Sequence, residues 1–255
     1  MIEYEGTQYS GFQCQNNAPS IQEELEKAIT NLTGEVLRVA GAGRTDAGVH
    51  AEGQVVSFET SSSFSPDVFQ RALNYYLPNE IAVKAAYRTR SDFDPRRMAL
   101  SRWYRYTIDR GDTPSPLKRR VSYHLGETLD VEEMRKAATM FLGVHDFSCF
   151  AGSLGDNRVS ALREVYMLEV RQTGDIMNID VKANSFLPHQ VRRMAGALVD
   201  IGKGRLTLGN LASMLDGECK NDCIARSLPP GGLCLLKVTY PDFPPEIGTQ
   251  NGSLQ

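Results

Sequence analysis

A glycine-rich segment, residues 41–51, constrains this chain more than any other stretch. It reads Gly-Ala-Gly-Arg-Thr-Asp-Ala-Gly-Val-His-Ala and lies between two stretches typical of strands, residues 36–40 and 54–59. The segment is therefore predicted to be a loop, in which Arg44 and Asp46 lie centrally. Four glycines are expected to adopt positive φ angles and to let another chain approach the backbone closely: Gly41, Gly43, Gly48 and Gly53.

The carboxylate of Asp46 has two interpretations. In the first, Asp46 bonds its own backbone in a turn, which is common for Asp beside Gly. In the second, the carboxylate takes part in chemistry, because a charge in such a loop is costly unless it is paired or used. Asp46 is not part of an Asp-Thr-Gly or Asp-x-Asp motif, and the chain has no phosphate-binding Gly-x-x-x-x-Gly-Lys-Ser/Thr loop. If Asp46 takes part in chemistry, it is therefore a lone nucleophilic carboxylate.

The string Gly-Arg-Thr-Asp-Ala-Gly-Val-His-Ala, residues 43–51, resembles the catalytic motif of the tRNA pseudouridine synthases of the TruA family. The resemblance implies that Asp46 is the catalytic aspartate, attacking either C6 of uracil or C1′ of the ribose. It also implies that Arg44 holds or replaces the flipped nucleotide, and a planar guanidinium suits that role. A simple ion pair holding the loop is the alternative for Arg44.

Two segments further along resemble the same family. Asp-Phe-Asp-Pro-Arg, ending at Arg96, is similar to its Asp-Phe-x-x-Arg, which implies that Arg96 contacts RNA. Ser-Arg-Trp-Tyr-Arg-Tyr has Tyr104 at the place of the family's active-site tyrosine. Strand alternation puts Arg102, Tyr104 and Tyr106 on one face, which suits a stacked base beside a phosphate. A tyrosine buried in the core is the alternative.

The last segments of resemblance lie in the second half of the chain. Residues 184–192 are similar to the family's Asn-x-Phe-x-x-x-x-Val-Arg, which implies that Arg192 pairs with Asp46 and keeps it ionised and oriented. A solvated helix face is the alternative for Arg192. His189 is interpreted as a hydrogen bonder at a helix terminus rather than an acid or base. Gly-Leu-Cys-Leu contains Leu233, which by resemblance lines the uracil pocket, although a strand leucine is also expected in any core.

The order of elements predicts an α+β fold. Capped helices are expected from Ser20 to about residue 32, after Ser65, and after Asp130, with two more at 188–201 and 208–215. The pattern of the first hundred residues recurs loosely afterwards. We therefore expect two similar α/β halves that form a continuous mixed, mainly antiparallel sheet with helices on one face and a basic cleft between them, the pseudouridine synthase fold.

The predicted division is residues 1–105, which contain the catalytic loop, residues 106–243, and a flexible tail at 244–255. The first strand is expected to be a shortened strand at the edge of the sheet. Neither a membrane span nor a signal peptide is predicted, so a cytoplasmic location is expected. The five cysteines form no disulfide framework. Cys219 and Cys223 have no second pair of ligands for zinc and are expected to be reduced thiols.

The net charge of −3 hides an asymmetry. Residues 88–120 contain ten basic and four acidic side chains, a net +6, which leaves −9 elsewhere. Such a basic stripe suits an enzyme that grips a phosphate backbone, although a solvated strand face is the alternative.

These features predict an isomerase that converts uridine to pseudouridine at positions 38, 39 and 40 in the anticodon stem-loop of tRNA, without cofactor or metal. The resemblance implies a homodimer. Two rivals are an RNA-binding module without chemistry and a related synthase acting on another RNA. Asp46 argues against the first, because a carboxylate repels phosphate.

Overall fold

The computed structural model describes residues 1–152, 160–218 and 225–241. The helices of these ranges are Ile21–Thr33 (α1), Pro66–Tyr76 (α2), Val131–Met140 (α3), Gln190–Gly202 (α4) and Leu208–Leu215 (α5). The strands are Ile2–Tyr4 (β1), Ala40–Gly41 (β2), His50–Gln54 (β3), Val56–Ser57 (β4), Ile81–Val83 (β5), Ser101–Asp109 (β6), Tyr123–His124 (β7), Gly143–Asp146 (β8), Leu162–Thr173 (β9), Ile176–Ala183 (β10) and Leu233–Thr239 (β11). Short 3-10 turns lie at Ser148–Phe150 and Pro230–Gly232.

Nine strands form one sheet in the order β5-β1-β3-β11-β6-β10-β9-β8, with β7 beside β6. Its neighbours are antiparallel except for the pairs β11–β3 and β6–β7. Strand β11 lies between β3 and β6, so it joins the early strands to the later ones. The predicted α+β fold with a continuous, mixed and mainly antiparallel sheet is confirmed.

The helices begin where the sequence predicts a cap. The Ser20 hydroxyl accepts from the Glu23 amide at 3.2 Å at the start of α1, and the Asp130 carboxylate accepts from the Glu133 amide at 3.0 Å at the start of α3. Helix α1 ends at Gly34, whose φ of 77° is left-handed. Because the apolar positions recur at helical spacing, helices α1, α2, α3 and α5 each bury one face, whereas α4 is buried almost all round.

The central strands have two different faces. Tyr106 and Ile108 on β6 lie beside Ile179 and Met177 on β10, and all four side chains are buried. Helices α3 and α4 pack on this side of the sheet. On the other face the fully buried Asp180 carboxylate accepts hydrogen bonds from three side chains, through Trp103 Nε1, Arg105 Nε and Nη2, and Arg171 Nη2.

Several element boundaries differ from expectation. The predicted strand at 36–40 is reduced to β2, which pairs with β4 in a separate two-stranded sheet. His50 and Ala51 belong to β3 rather than to the loop. Strand β1 lies between β3 and β5, so the expectation of an edge strand is wrong. A strand can be assigned to an edge only when its hydrogen-bonded partners are known, and sequence alternation does not give them.

Two expectations concern residues that lie outside the described ranges. The tail at 244–255 and the thiols Cys219 and Cys223 lie there. Cys14 and Cys234 are free, and burial raises the pKa of the Cys234 thiol to about 12. Cys149 is disulfide-bonded, which the cysteine spacing did not predict.

Candidate active site

Bonds to neighbouring segments hold the loop that carries Asp46. The Gln54 side chain, which is fully buried, donates to the Gly43 carbonyl oxygen at 2.9 Å. The Tyr4 hydroxyl and the Thr45 hydroxyl lie 2.8 Å apart. These bonds hold Thr45, the residue next to Asp46, and Gly43 earlier in the loop. The backbone that carries the Asp46 carboxylate is therefore fixed in place.

The glycines of this loop act mainly through close approach. Of the four expected at positive φ, only Gly48 adopts such an angle, 76°, so the expectation is wrong for the other three. Added Cβ atoms show what two of these require: one at Gly41 would lie 2.5 Å from the Phe12 ring, and one at Gly53 would lie 2.4 Å from the Leu236 carbonyl oxygen. Only glycine fits at Gly53, where the clash is with backbone, whereas a side chain at Gly41 would require the Phe12 ring to move.

An arginine from helix α4 binds the Asp46 carboxylate. Arg192 Nη1 donates to Asp46 Oδ2 at 3.1 Å, and Arg192 Nε donates to the Leu228 carbonyl oxygen at 2.7 Å. The two side chains are 15% and 24% exposed, so the pair is partly shielded from water but open on one side. The second bond fixes the plane of the guanidinium, and the predicted pairing of Arg192 with Asp46 is present.

His189 lies nearer to Asp46 than sequence reasoning indicated. It precedes α4 in the left-handed conformation, with φ 63°, and its side chain makes no capping hydrogen bond. Its Nε2 is 3.9 Å from Asp46 Oδ1, which is too far for a hydrogen bond. Strained angles of non-glycine residues tend to occur at functional sites. The signal in the sequence was its place three residues before Arg192.

Tyr104 reaches the same loop from strand β6. Its ring packs edge-on against Phe186 at 5.3 Å, and its hydroxyl points to Gly43, where an added Cβ would lie 3.6 Å away. Burial raises the pKa of the Tyr104 hydroxyl well above its ordinary value, and the nearby charge of Asp46 acts in the same direction. Tyr104 is therefore protonated at neutral pH and is a hydrogen-bond or proton donor there, not a base.

The two predicted RNA-binding arginines share one groove. Arg44 and Arg96 are exposed, and neither side chain forms an ion pair within the described ranges, so the alternative of a loop-holding ion pair for Arg44 is not observed. Both line a groove of about 380 Å³ that also includes Arg97, Asp94 and Phe12. The groove opens beside the loop that carries Asp46.

Leu233 begins strand β11 and is 5% exposed. It lies opposite Tyr106 on β6, and the next inward residue, Leu235, lies opposite Tyr104. Leu233 is thus on the same face as Tyr104, two positions along from it. Contact with uracil stays a prediction for this residue.

Arg102 does not belong to the RNA-binding face on which the alternation placed it. Its side chain is 7% exposed, and its two terminal nitrogens donate to four carbonyl oxygens. The acceptors are Ala42 at 3.0 Å, Arg96 at 2.5 Å, Ala99 at 3.3 Å and Asn184 at 2.8 Å. The expected phosphate contact is therefore wrong for Arg102, because burial and these bonds occupy the guanidinium. It instead connects the loop of Asp46, the segment of Arg96 and the approach to α4.

In the described parts of the chain, no group of three or more His, Cys, Asp or Glu side chains could hold a metal ion. Over the same ranges, no helix has the length and apolar character needed to cross a membrane.

A carboxylate fixed by a guanidinium, beside a protonated tyrosine and an arginine-lined groove, is the arrangement of an enzyme acting on an anionic substrate. The chain matches the family model described as tRNA pseudouridine synthase over residues 1–96 and 137–241. This match covers most of the chain, and the chain belongs to the tRNA pseudouridine synthase family.

Relatives support the same membership. A protein of Geobacter sp. strain M21 named tRNA pseudouridine synthase A is 39% identical over 242 residues, which cover 95% of this chain and 98% of that protein. Proteins of the same name from Myxococcus xanthus and Geobacter sulfurreducens are 42% and 41% identical, covering 96% and 94% of this chain and 92% and 98% of their own lengths. Among solved structures, a chain of a Cbf5–Nop10–Gar1 complex aligns with a TM-score of 0.34 at 11% identity, over 93% of this chain and 57% of that chain. That likeness is too weak to support an argument.

Proposed function

We propose that this chain isomerises uridine to pseudouridine in tRNA, at positions 38, 39 and 40 of the anticodon stem-loop. Family membership supports the reaction and the class of RNA. The observation that carries the assignment to a site is the Asp46 carboxylate, which Arg192 holds at 3.1 Å in a loop fixed on both sides. Asp46, Tyr104 and Arg192 are the proposed catalytic residues.

The reaction is an internal transfer and needs no electron acceptor. The bond between N1 and C1′ breaks, uracil turns, a bond forms between C5 and C1′, the C5 proton leaves, and N1 gains a proton. Asp46 is the nucleophile, at C6 of the base or at C1′ of the ribose. Arg192 orients the carboxylate through a charge-assisted hydrogen bond. Tyr104, which is protonated at neutral pH, supplies a hydrogen bond or a proton to the turning base.

The remaining site residues bind the RNA. A uridine inside a stem must leave the stack to reach Asp46, and the exposed Arg44 guanidinium, two residues away, fills the vacancy. Arg96 holds the backbone in the groove that it shares with Arg44. Leu233 contacts the uracil ring from the face that also carries Tyr104.

The proposal includes the assembly and location of the enzyme. It acts as a homodimer in the cytoplasm, where tRNA is found, and each chain comprises two halves, residues 1–105 and 106–243. Strand β6 crosses that boundary, so the halves share it. Sedimentation equilibrium tests the dimer: a mass of one chain at micromolar concentration contradicts this part.

The main experiment maps the product. The protein is incubated, without added cofactor, with tRNA transcript labelled at C5 of uridine; loss of the C5 label measures turnover, and sequencing of the product locates pseudouridine. We expect product at positions 38 to 40 with the wild type and none with Asp46→Asn, while Asp46→Asn still binds tRNA. Product in another RNA only, or equal loss of binding and turnover in the variant, contradicts the proposal.

A further inference from the structure

We infer that a second arginine-lined groove, at Arg119 and Arg120, binds RNA phosphate on the flank of the target uridine opposite to the flank held by the groove of Arg44 and Arg96. The inference deepens the proposed function and rests on it. In this arrangement the loop carrying Asp46 separates two phosphate sites, and the uridine enters between them.

Most basic side chains of the stripe at residues 88–120 already have partners within the chain, so few of them are available to meet RNA. In its middle, Arg102 is buried among carbonyl oxygens, and Arg105 pairs with Asp180 at 2.9 Å on the opposite face of the sheet. Lys118 pairs with the buried Asp109 at 3.3 Å. Arg96 and Arg119, which lie toward the two ends of the stripe, are the charges that remain available.

The second groove has a volume of about 450 Å³ and is lined in part by Gly48 of the same loop. Its lining residues are Thr7, Gly48, Arg119, Arg120, Pro230 and Gly231. The first groove reaches the loop at Gly41 and Arg44, before Asp46, whereas the second reaches it at Gly48, after Asp46. In chain order along the loop, Asp46 therefore lies between the residues that line the first groove and the residue that lines the second.

The walls of the second groove are fixed by a buried side chain. His50, 6% exposed, accepts from the Gly6 amide through Nδ1 at 3.0 Å. Its Nε2 therefore carries the proton and donates to the Arg120 carbonyl oxygen at 2.8 Å and to that of Gly231 at 3.2 Å. One imidazole at the start of β3 thus hydrogen-bonds to two separate segments that line the groove.

The charges of this groove favour an anion. The Arg120 guanidinium is 3.4 Å from Glu5 Oε2, so one of its nitrogens has a carboxylate partner. Arg119 is exposed and its side chain makes no ion pair or hydrogen bond within the described residues. Of the two, Arg119 is therefore ready to bind a phosphate without first losing a partner. Arg96 in the first groove is likewise exposed, its side chain has no partner within the described residues, and it is ready to bind a phosphate.

The test uses an anticodon stem-loop in which single phosphates are replaced by neutral methylphosphonates, on either side of the target uridine. Arg119→Gln and Arg96→Gln are compared with the wild type, and Arg135→Gln is the matched control, because Arg135 is exposed on α3 and pairs there with Glu132. We expect each groove variant to weaken RNA binding about tenfold, as for one lost charge-assisted hydrogen bond, with a matching rise in KM. The slope of log affinity against log salt falls by about 1.

The decisive result is which phosphate each arginine contacts. A neutral linkage on one flank should weaken the wild type but not Arg119→Gln, and a neutral linkage on the other flank should weaken the wild type but not Arg96→Gln. Arg119→Gln binding like the wild type, both variants losing sensitivity to the same flank, or Arg135→Gln losing as much affinity, would each overturn the inference. Thermal melting checks that the variants are folded. A wild type that forms no pseudouridine contradicts the proposed function instead, so the two failures are distinguishable.

Discussion

Arg192 Nη1 donates to Asp46 Oδ2 at 3.1 Å, across 146 residues of sequence. The loop of Asp46 comes from the early part of the chain, and helix α4 comes from the late part. Strand β11 joins the two parts because it lies between β3, which follows the loop, and β6. The site is thus complete only when the whole sheet has formed.

The first prediction concerns that ion pair. Arg192→Lys keeps the positive charge, but a single ammonium group cannot replace the guanidinium fork that bonds both Asp46 and the Leu228 carbonyl oxygen. We expect kcat to fall about 10- to 100-fold, as for one charge-assisted hydrogen bond, with little change in tRNA affinity. Arg193→Lys is the control, because Arg193 bonds the Ala151 carbonyl oxygen instead. Equal kcat values for the two variants would argue against a positioning role for Arg192.

The second prediction separates the ring of Tyr104 from its hydroxyl. Tyr104→Phe keeps the contact with Phe186 but removes the proton donor. We expect a loss of about 100-fold in kcat, the range of a general acid or base. Tyr106→Phe is the matched control: it loses the 2.7 Å bond to the Pro229 carbonyl oxygen, which costs about 1 kcal/mol of stability and leaves kcat unchanged. Full activity of Tyr104→Phe rules out proton transfer by Tyr104.

The third prediction concerns stability around the buried Arg102. Arg102→Met removes the donor for four carbonyl oxygens, several of which stay buried without a partner. We expect the free energy of unfolding to fall by about 3 kcal/mol, measured by urea denaturation. The comparison variant is Arg38→Met, because the exposed Arg38 side chain pairs with Glu26 at the surface; it should change stability by less than about 0.5 kcal/mol. If both variants unfold at the same urea concentration, the four bonds do not contribute to stability.

The fourth prediction is a loss of stability at alkaline pH. Burial raises the pKa of the Tyr4 hydroxyl from 10.0 to about 12. Below pH 10 this group is protonated in both the folded and the unfolded chain, so it adds no pH dependence. Between pH 10 and about 12 only the unfolded chain releases the proton, so stability falls by about 1.4 kcal/mol per pH unit for this group.

Denaturation at pH 8, 10 and 11.5 measures this effect. Tyr4→Phe should flatten the fall above pH 10, whereas Tyr75→Phe should leave it unchanged, because Tyr75 is 82% exposed. An identical slope in Tyr4→Phe and the wild type would contradict the prediction. Other buried tyrosines, among them Tyr104 and Tyr106, add to the wild-type slope in the same direction.

Local features of the site could be predicted from the sequence because they depend on short spacings. The loop of Asp46 lies between strands, Ser20 and Asp130 cap their helices, and the alternation of β6 correctly placed Tyr104 and Tyr106 together on one face. The resemblance added the pairing of Asp46 with Arg192, which no spacing gives. Backbone geometry was less predictable: three of the four loop glycines serve close contacts or other needs rather than positive φ.

The sequence by itself determined the identity of the chemical groups and the strand or helix that carries each one, because side-chain type and periodicity are local properties. Only the tertiary structure decided which charges remain available. Arg102 and Arg105 lie three residues apart on one strand, and both are engaged, one by carbonyl oxygens and the other by Asp180. Arg96 and Arg119 stay exposed beside the loop of Asp46. The difference between the engaged and the exposed arginines depends on burial and on partners that β11 and α4 bring from distant parts of the chain. No local sequence pattern encodes it.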